Sequence, residues 1–387
     1  MSDFMANRIL LYGDVIFDYI DGSSVWLINL AKLLSQDKSN QVDILLKRTP
    51  KKDVLTSELN DYSNISMIKS QTVKATLNSE NIVEAVGDVD GKNNYDCIIV
   101  RGLEVAKSLA RSRFKSKLIP YITDFNQNAE EISAEEIKEL SEIYDSVEYI
   151  FVQTEQMKEY FMKVLNVNGE KCRILNPIVF PLDKVEKEQK TICYAGKLSK
   201  LWYIEELIEI MNILHEKDSQ IRLYFIGSKF NPDLNDKNEE ILNQLRTAPN
   251  IEFIPELSNM ESRKIINRCK LGYCFRSEEI DNDSSLELST KFLEYGIYGV
   301  APIVRKTTMF SKIIGEDYPL YVCDVEEASS KILDYFNDEP VLDLEDKFRD
   351  YTADVTYQNI KPVIDYYTSK NKDSIFKRIL NKLVNTT

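Results

Sequence analysis

Short apolar runs alternate along the chain with segments whose apolar residues recur at helical intervals. In the first half, β-rich runs predict six strands, over 8–15, 42–47, 95–102, 117–123, 149–154 and 173–175. Between them, 25–34 and 155–165 place apolar residues on one side of a helix. Strands that alternate with helices are typical of parallel sheets that are covered on both faces.

The pattern restarts after a charged, proline-containing connector at 176–190. Six further strands are predicted, over 191–197, 221–227, 251–255, 271–277, 301–304 and 320–323. Helices are predicted between them, over 203–216, 239–248, 260–268 and around Lys291. The pattern therefore predicts an α/β protein with two doubly wound domains, 1–183 and 184–350, followed by C-terminal helices at 351–387 that cross back to the first domain.

Composition supports a two-domain globular protein. A chain of 387 residues exceeds what one core usually serves, and its 43% hydrophobic and 29% charged residues exclude a disordered chain. A net charge of −14 argues against a nucleic-acid partner. No apolar run approaches the roughly 20 residues of a membrane span, and the N-terminus shows no signal peptide. We expect a cytoplasmic protein.

Cysteine and histidine usage excludes several kinds of site. The six cysteines lack C-x-x-C spacing, which favours buried reduced thiols over disulfides or zinc ligands. His215 is the only histidine, so a Ser-His-Asp triad or a two-histidine metal site cannot be built. We expect no metal site.

The segment 287–296 carries the strongest chemical signal. Ser289 and Thr290 open a helix, Lys291 lies in its first turn, and Glu294 follows one turn later. A helix N-terminus and a lysine suit a phosphate, and the carboxylate can accept hydrogen bonds from a sugar diol. The alternative is a surface helix with an ordinary Lys/Glu pair.

A second cationic loop follows the first strand of the second half. Gly196, Lys197 and Lys200 suit a diphosphate, although the loop is far from a P-loop or a G-x-G-x-x-G motif. Ligands of such sheets bind beyond the carboxyl ends of the strands. Together with Lys291, this loop gives two cationic loops at one edge of one sheet.

Two loops of the first half are further candidates. Asp21 and Gly22 precede a helix that Ser23 or Ser24 can cap, and Gly22 allows close approach of a ligand; an ordinary capped turn is the alternative. Asp124 follows a strand end, where a solvated loop aspartate is the alternative.

Two charged segments have open interpretations. The acidic loop 278–283 is either solvated or a metal clamp. The segment 370–384 is a basic amphipathic helix that either lies on an anionic membrane surface or packs onto the domain or a partner.

Taken together, these motifs resemble the GT-B glycosyltransferases, particularly family 4, over roughly the whole chain. The resemblance rests on YAGKL (194–198), LYFIG (223–227), NIEFIPELS (250–258) and above all STKFLEYGIYGVAPIV (289–304). It implies two Rossmann-like domains that face each other across a cleft. It also implies transfer of a sugar from a nucleotide-sugar, with retention and without a metal or other cofactor, to a glycan or lipid-linked acceptor. Bacterial surface polysaccharide assembly, at the inner face of the membrane, is the implied setting.

The resemblance assigns roles to individual positions. Glu294 matches the motif glutamate that holds the donor ribose, and Lys197 takes the place of the family's arginine at the diphosphate. The family's lysine falls at Trp202, so that Lys200 or Lys291 has to substitute. The first motif glutamate falls at Leu286, with Glu287 one residue away. Asp124 aligns near the family's histidine and is, with Asp21, the candidate for polar catalytic work.

Two other functions remain open from the sequence. Trp202 and Leu286 are compatible with a degenerate partner subunit that has lost the donor site. A nucleotide-sugar epimerase of the same fold would need carboxylates and usually histidines around the donor, and His215 is placed in a helix.

Overall fold

The structure is a computed structural model that describes residues 6–18 and 20–384, without the side chains of 235–236 and 371–384. The chain divides into two compact units. The first comprises residues up to 178 together with those from 353 onward, and the second comprises 179–352. The first boundary lies a few residues before the one predicted at 183/184.

The first unit contains a seven-stranded parallel sheet in the order β3-β2-β1-β4-β5-β6-β7. The six predicted strands are present. Strand β3 was not predicted because it is only four residues long, each exposed or half-buried, and Ser66 interrupts its apolar residues. The strands are β1 (Asn7–Tyr12), β2 (Asn40–Leu45), β3 (Ile65–Ile68), β4 (Cys97–Arg101), β5 (Leu118–Tyr121), β6 (Ile150–Val152) and β7 (Cys172–Ile174). The helices are α1 (Gly22–Ser35), α2 (Ile82–Asn93), α3 (Leu103–Ala110), α4 (Ala134–Ser146) and α5 (Glu155–Leu165), with short 3-10 turns at Thr56–Leu59 and Lys115–Lys117.

The second unit contains a five-stranded parallel sheet in the order β10-β9-β8-β11-β12. Its strands are β8 (Thr191–Ala195), β9 (Arg222–Ile226), β10 (Ile251–Ile254), β11 (Leu271–Tyr273) and β12 (Ala301–Ile303). Its helices are α6 (Ile204–Lys217), α7 (Asn238–Thr247), α8 (Asn259–Arg268), α9 (Thr290–Ile297), α10 (Thr308–Ile314), α11 (Val325–Asn337) and α12 (Leu344–Phe348). Short 3-10 turns lie at Lys200–Trp202, Pro232–Lys237 and Arg349–Tyr351.

The strand predicted over 320–323 is wrong. This segment forms only an isolated bridge between Val304 and Tyr321. Its pairing is short because the chain turns just before it, where the Tyr321 N–H meets the Tyr318 carbonyl. The apolar run reflects burial against the core and not a full strand, since Leu320 is completely buried.

Each sheet reverses its strand order at one point. In the first unit this point lies between β1 and β4, and in the second it lies between β8 and β11. The loops that leave these strands turn in opposite directions across the sheet, which opens a crevice at the carboxyl edge. The strands themselves are almost completely buried, so the side chains available for chemistry are those in the loops at this edge.

The last helix, α13 (Ala353–Val384), belongs to the first unit. The Tyr367 hydroxyl donates to the Leu118 carbonyl at 3.0 Å, and the Tyr357 hydroxyl donates to Asp37 at 3.3 Å. The backbone of the predicted amphipathic segment is helical, but the side chains of 371–384 lie outside the described residues. No helix in the described part of the chain is long and apolar enough to cross a membrane.

Candidate functional site

The loops after β8 and β9 approach each other closely through two glycines. The Gly196 N–H donates to the Ile226 carbonyl at 2.9 Å. Gly227 has a φ of +125°, and a Cβ at this position would lie 2.2 Å from the Gly196 carbonyl oxygen. Both features require glycine at 227, since any side chain would collide with backbone that cannot move aside.

Lys291 from α9 occupies the space that Gly196 leaves. A Cβ at Gly196 would lie 2.3 Å from the Lys291 Nζ. This ammonium lies 4.6 Å from the centroid of the Tyr194 ring and 6.0 Å from that of Trp202. Among the described residues, neither Lys291 nor Lys197 takes part in an ion pair. The lysine thus lies against aromatic rings beside Gly196, with no carboxylate at ion-pair distance among the described residues.

The surroundings of Lys291 disfavour its charged form. Burial is the main cause that lowers the pKa of Lys291 to about 8, while Cys274 and Glu294 oppose the shift and Arg276 and Lys197 add to it. A bound anion would replace the missing water and offset the repulsion. The geometry and the charge therefore favour a phosphate-bearing ligand at this position.

Glu294 does not pair with Lys291. Its Oε1 accepts from the Nε of Arg263 at 2.9 Å, and the exposed fractions of the two side chains are 13% and 4%. The ordinary i, i+3 Lys/Glu pair that the sequence left open is therefore not formed. Arg263 was missed because it lies among the buried residues of α8, and the periodicity of a helix does not reveal which buried position carries a charge.

The other residues predicted for the donor site differ in position and burial. Ser289 caps α9 by accepting from the Phe292 N–H at 3.5 Å, and Thr290 is the first helical residue. Lys200 and Glu287 are exposed. Leu286 is buried, so the position of the family's first motif glutamate is part of the core.

Both readings of the acidic loop 278–283 as solvated or metal-binding are wrong for its central residue. Asp281 is 2% exposed and forms a two-point ion pair with the Arg276 guanidinium. Glu278 pairs with Arg305 at 2.8 Å, and Asp283 accepts from the Thr308 N–H at 2.7 Å. In the described part of the chain, no cluster of three or more His, Cys, Asp or Glu is arranged to hold a metal.

Arg276 is a cation that the sequence reasoning did not single out. It follows β11 at the point of strand reversal, and its guanidinium lies 5.8 Å from the centroid of the Trp202 ring. Trp202 therefore contacts two cations, Arg276 and Lys291, although it replaces the family's lysine. Arg276 could have been found from the sequence as an arginine that closely follows a buried strand.

In the first unit, the N-cap of α1 is Asp21 and not Ser23 or Ser24. The Asp21 carboxylate accepts from the Ser23 and Ser24 N–H groups at 3.1 and 3.0 Å, and the Ser24 hydroxyl closes the capping box. The helix begins earlier than predicted because Gly22 takes its first position. A Cβ at Gly22 would have nothing within 4 Å, so the backbone is open to solvent here.

Asp124 lies at the N-terminus of α3. Both of its carboxylate oxygens lie 3.0 Å from the Leu103 N–H, and the side chain is exposed. A second carboxylate, Asp14, follows β1 with a φ of +50° and pairs with Lys47 at 2.8 Å. Each is close to Gly102, which has a φ of +113°. The switch point of this sheet thus gathers two carboxylates, of which only Asp124 was predicted.

The comparisons with known proteins agree with this architecture. Residues 181–355 match the family model for glycosyl transferases group 1. The structure is similar to HepE from Anabaena in complex with UDP and glucose, with a TM-score of 0.62, 12% identity, and coverage of 97% of this chain and 100% of that one. It is also similar to TarM from S. aureus bound to UDP, with a TM-score of 0.60, 12% identity, and coverage of 97% and 99%.

A third similar structure is that of a protein with a different proposed reaction. It is a proposed UDP-N-acetylglucosamine 2-epimerase from Listeria monocytogenes, with a TM-score of 0.63, 12% identity, and coverage of 94% of this chain and 97% of that one. None of the curated proteins matches the sequence. At such identities the structural likeness shows the fold.

These matches define the class of protein. The chain has the GT-B fold, with its two Rossmann-like units. Residues 181–355, which include nearly all of its second unit, are similar to the glycosyl transferases group 1. The resemblance seen in the sequence is confirmed at this level.

Proposed function

We propose that this protein transfers a sugar from a nucleotide-sugar donor to a glycan or lipid-linked acceptor. The observation that carries the proposal is Lys291, a half-buried ammonium that has no acidic partner among the described residues and is seated over Gly196 beside Lys197. A structural lysine normally has a carboxylate or solvent around its charge. The absence of a carboxylate beside Lys291 among the described residues supports a diphosphate ligand at this position.

The same residues account for leaving-group departure. As the bond between the sugar and the nucleoside diphosphate breaks, negative charge grows on the diphosphate oxygens. Lys197, Lys291 and the N–H groups at the start of α9 would stabilise that charge. Glu294, oriented by Arg263, would accept hydrogen bonds from the donor ribose. This arrangement works without a metal ion and involves no cofactor.

The catalytic and acceptor roles belong to the first unit in this proposal. Asp124 is the first candidate for polar catalytic work and Asp21 the second, because an anion stabilises a forming oxocarbenium ion. Both residues accept hydrogen bonds at a helix N-terminus. Asp124 comes first because its side chain is exposed, whereas the Asp21 carboxylate accepts from two N–H groups of α1. Retention of configuration follows from the family resemblance.

The setting of the reaction is surface polysaccharide assembly. Among the similar structures, one is a lipopolysaccharide outer core galactosyltransferase, with a TM-score of 0.61. We place the enzyme in the cytoplasm at the inner face of the membrane, with the basic segment 370–384 in contact with anionic lipids. Loss of co-sedimentation with anionic vesicles after deletion of 371–387 would support that contact, whereas unchanged sedimentation would contradict it.

Calorimetric titration tests the donor site. We expect one member of a panel of UDP-, GDP-, ADP-, CMP- and dTDP-sugars to bind in the presence of EDTA, and binding to weaken about tenfold or more in Lys291→Ala. Lys306→Met is the matched control, because Lys306 also lies over a tyrosine ring but is paired with Glu316. A strict requirement for a divalent cation would contradict metal independence.

A degenerate partner subunit is the second candidate. The observations that favour it are Trp202 and the buried Leu286, which occupy two positions where the family carries donor-binding residues. Failure of every nucleotide-sugar to bind would support this alternative. Binding followed by isomerisation of the donor without any acceptor would instead indicate an epimerase.

A further inference from the structure

Arg101 ends β4 at the carboxyl edge of the first sheet. Its neighbour across the strands is Tyr121. Trp26 from α1 stacks on the Tyr121 ring, with 4.7 Å between the centroids and 6° between the planes. The Arg101 guanidinium lies 5.6 Å from the centroid of the Trp26 ring. The indole thus covers the strand pair, and the guanidinium is held beside it at the edge where ligands of such sheets bind.

The charge of Arg101 has no counter-ion in the described part of the chain. Its Nη2 donates to the Thr123 hydroxyl at 3.3 Å, and no carboxylate lies within ion-pair distance. Both neighbouring acids are engaged elsewhere, since Asp124 accepts from Leu103 and Asp14 pairs with Lys47. The arrangement therefore leaves a half-buried guanidinium without a carboxylate in ion-pair contact among the described residues.

Two N–H donors in this cluster also lack acceptors. The Arg101 Nη1 and the Trp26 Nε1 are both buried, and neither has a hydrogen-bond partner among the described residues. Trp26 is 7% exposed. A buried donor without an acceptor is unfavourable by about 1–3 kcal/mol, and native structures contain few of them.

We propose that Arg101, Trp26 and Thr123 form an anion-binding site of the first unit, separate from the donor site. Its ligand is a group with negatively charged oxygens, either a phosphate or a carboxylate. A neutral sugar hydroxyl would satisfy a donor but leave the charge uncompensated, whereas an anion satisfies both. That the anion is part of the acceptor rests on the proposed function; the site itself rests on the geometry of the first unit.

The two tryptophans of the chain allow each site to be observed alone. Trp26 lies beside Arg101, and Trp202 lies beside Lys291. In Trp202→Phe, inorganic phosphate should change the fluorescence of Trp26 in a saturable way. Titration with glucuronate tests a carboxylate in place of phosphate. A response of the Trp26 fluorescence to either anion supports the site. No response to either anion would overturn the proposal.

Substitutions at Arg101 give the decisive control. In the Trp202→Phe background, Arg101→Gln should weaken the anion-dependent signal at least tenfold, and Arg101→Lys should retain part of it because the charge remains without the planar fork. Arg113→Gln is the matched control, since Arg113 also lies over an aromatic ring, that of Phe114, but precedes the start of β5 at the opposite, amino edge of the sheet. An unchanged affinity in both Arg101 variants would place the anion elsewhere and refute the site.

Failure of the donor proposal would be seen separately. In Trp26→Phe, Trp202 reports the binding of UDP or another nucleoside diphosphate. A silent Trp202 with a responsive Trp26 would contradict the nucleotide site and leave the anion site standing. The reverse result would contradict the anion site alone.

Discussion

Replacement of Lys291 by methionine should stabilise the protein while it weakens nucleotide binding. Burial lowers the pKa of Lys291 from 10.5 to about 8, which corresponds to roughly 3 kcal/mol of unfavourable free energy for the charged lysine at neutral pH. Methionine fills similar space without the charge. It loses the cation–π contact with Tyr194, which contributes about 1 kcal/mol. We therefore expect the free energy of unfolding to rise by about 1–2 kcal/mol at pH 7.

The stabilisation gained by the methionine variant should depend on pH. Between pH 8 and 10.5 the unfolded chain holds a proton on Lys291 that the folded protein has released, so the wild-type free energy of unfolding gains from this site as the pH rises. The destabilisation caused by the charged lysine is complete below pH 8 and disappears as the pH approaches 10.5. The advantage of the methionine variant should consequently shrink by about half or more at pH 9.5.

Urea unfolding in a Trp26→Phe background measures the effect, because Trp202 then reports the second unit alone. Binding of a nucleoside diphosphate should weaken by about 1.5–3 kcal/mol in the same variant. Lys306→Met should change neither quantity, because Lys306 is paired with Glu316. A loss of stability in Lys291→Met at pH 7, or an advantage that is the same at both pH values, would refute the assignment of Lys291 as an uncompensated buried cation.

Three further predictions follow from the site. Gly196→Ala should weaken diphosphate binding about tenfold with little change in melting temperature, because its Cβ displaces chiefly the flexible end of Lys291, with the Tyr194 hydroxyl next at 3.2 Å. A large loss of stability with intact binding would contradict this. In a double-mutant cycle, Arg263→Gln and Glu294→Gln should be coupled by more than 1 kcal/mol in the free energy of nucleotide binding, and additive effects would show that Arg263 does not orient Glu294. Asp124→Asn should lower turnover at least tenfold, with donor affinity changed by less than about threefold; turnover near that of the wild type would leave Asp124 as a cap of α3 and make Asp21 the next residue to test.

The alternation of strands and helices could be predicted from the sequence, because the strands of a parallel sheet are buried on both faces and therefore consist of continuous apolar runs. It also predicted the loop glycine Gly196 and the cations Lys197 and Lys291, since strand ends locate the edge where they lie. Strand β3 and the bridge at Tyr321 were misjudged, because apolar content reports burial and not hydrogen bonding.

The partners of the site residues could not be predicted. Arg263 is 31 residues from Glu294 along the chain, and Arg101 is far from Trp26. Helical and strand periods describe neighbours within one element, whereas these pairs depend on how α8 packs near α9 and how α1 covers the sheet. The loop that holds Asp281 was misread for the same reason, since its acidic composition gave no sign of the buried pair with Arg276.

The division of the chain into two units has a consequence for synthesis. The second unit is continuous, and its two ends meet at the bridge between Val179 and Thr352. The first unit lacks α13 until translation passes 353, although Ile360 and Tyr367 of that helix are almost completely buried in it. On the ribosome the second unit can therefore close first, while the first keeps an apolar surface uncovered until the end. A message truncated before 353 would yield a folded half attached to an aggregation-prone one.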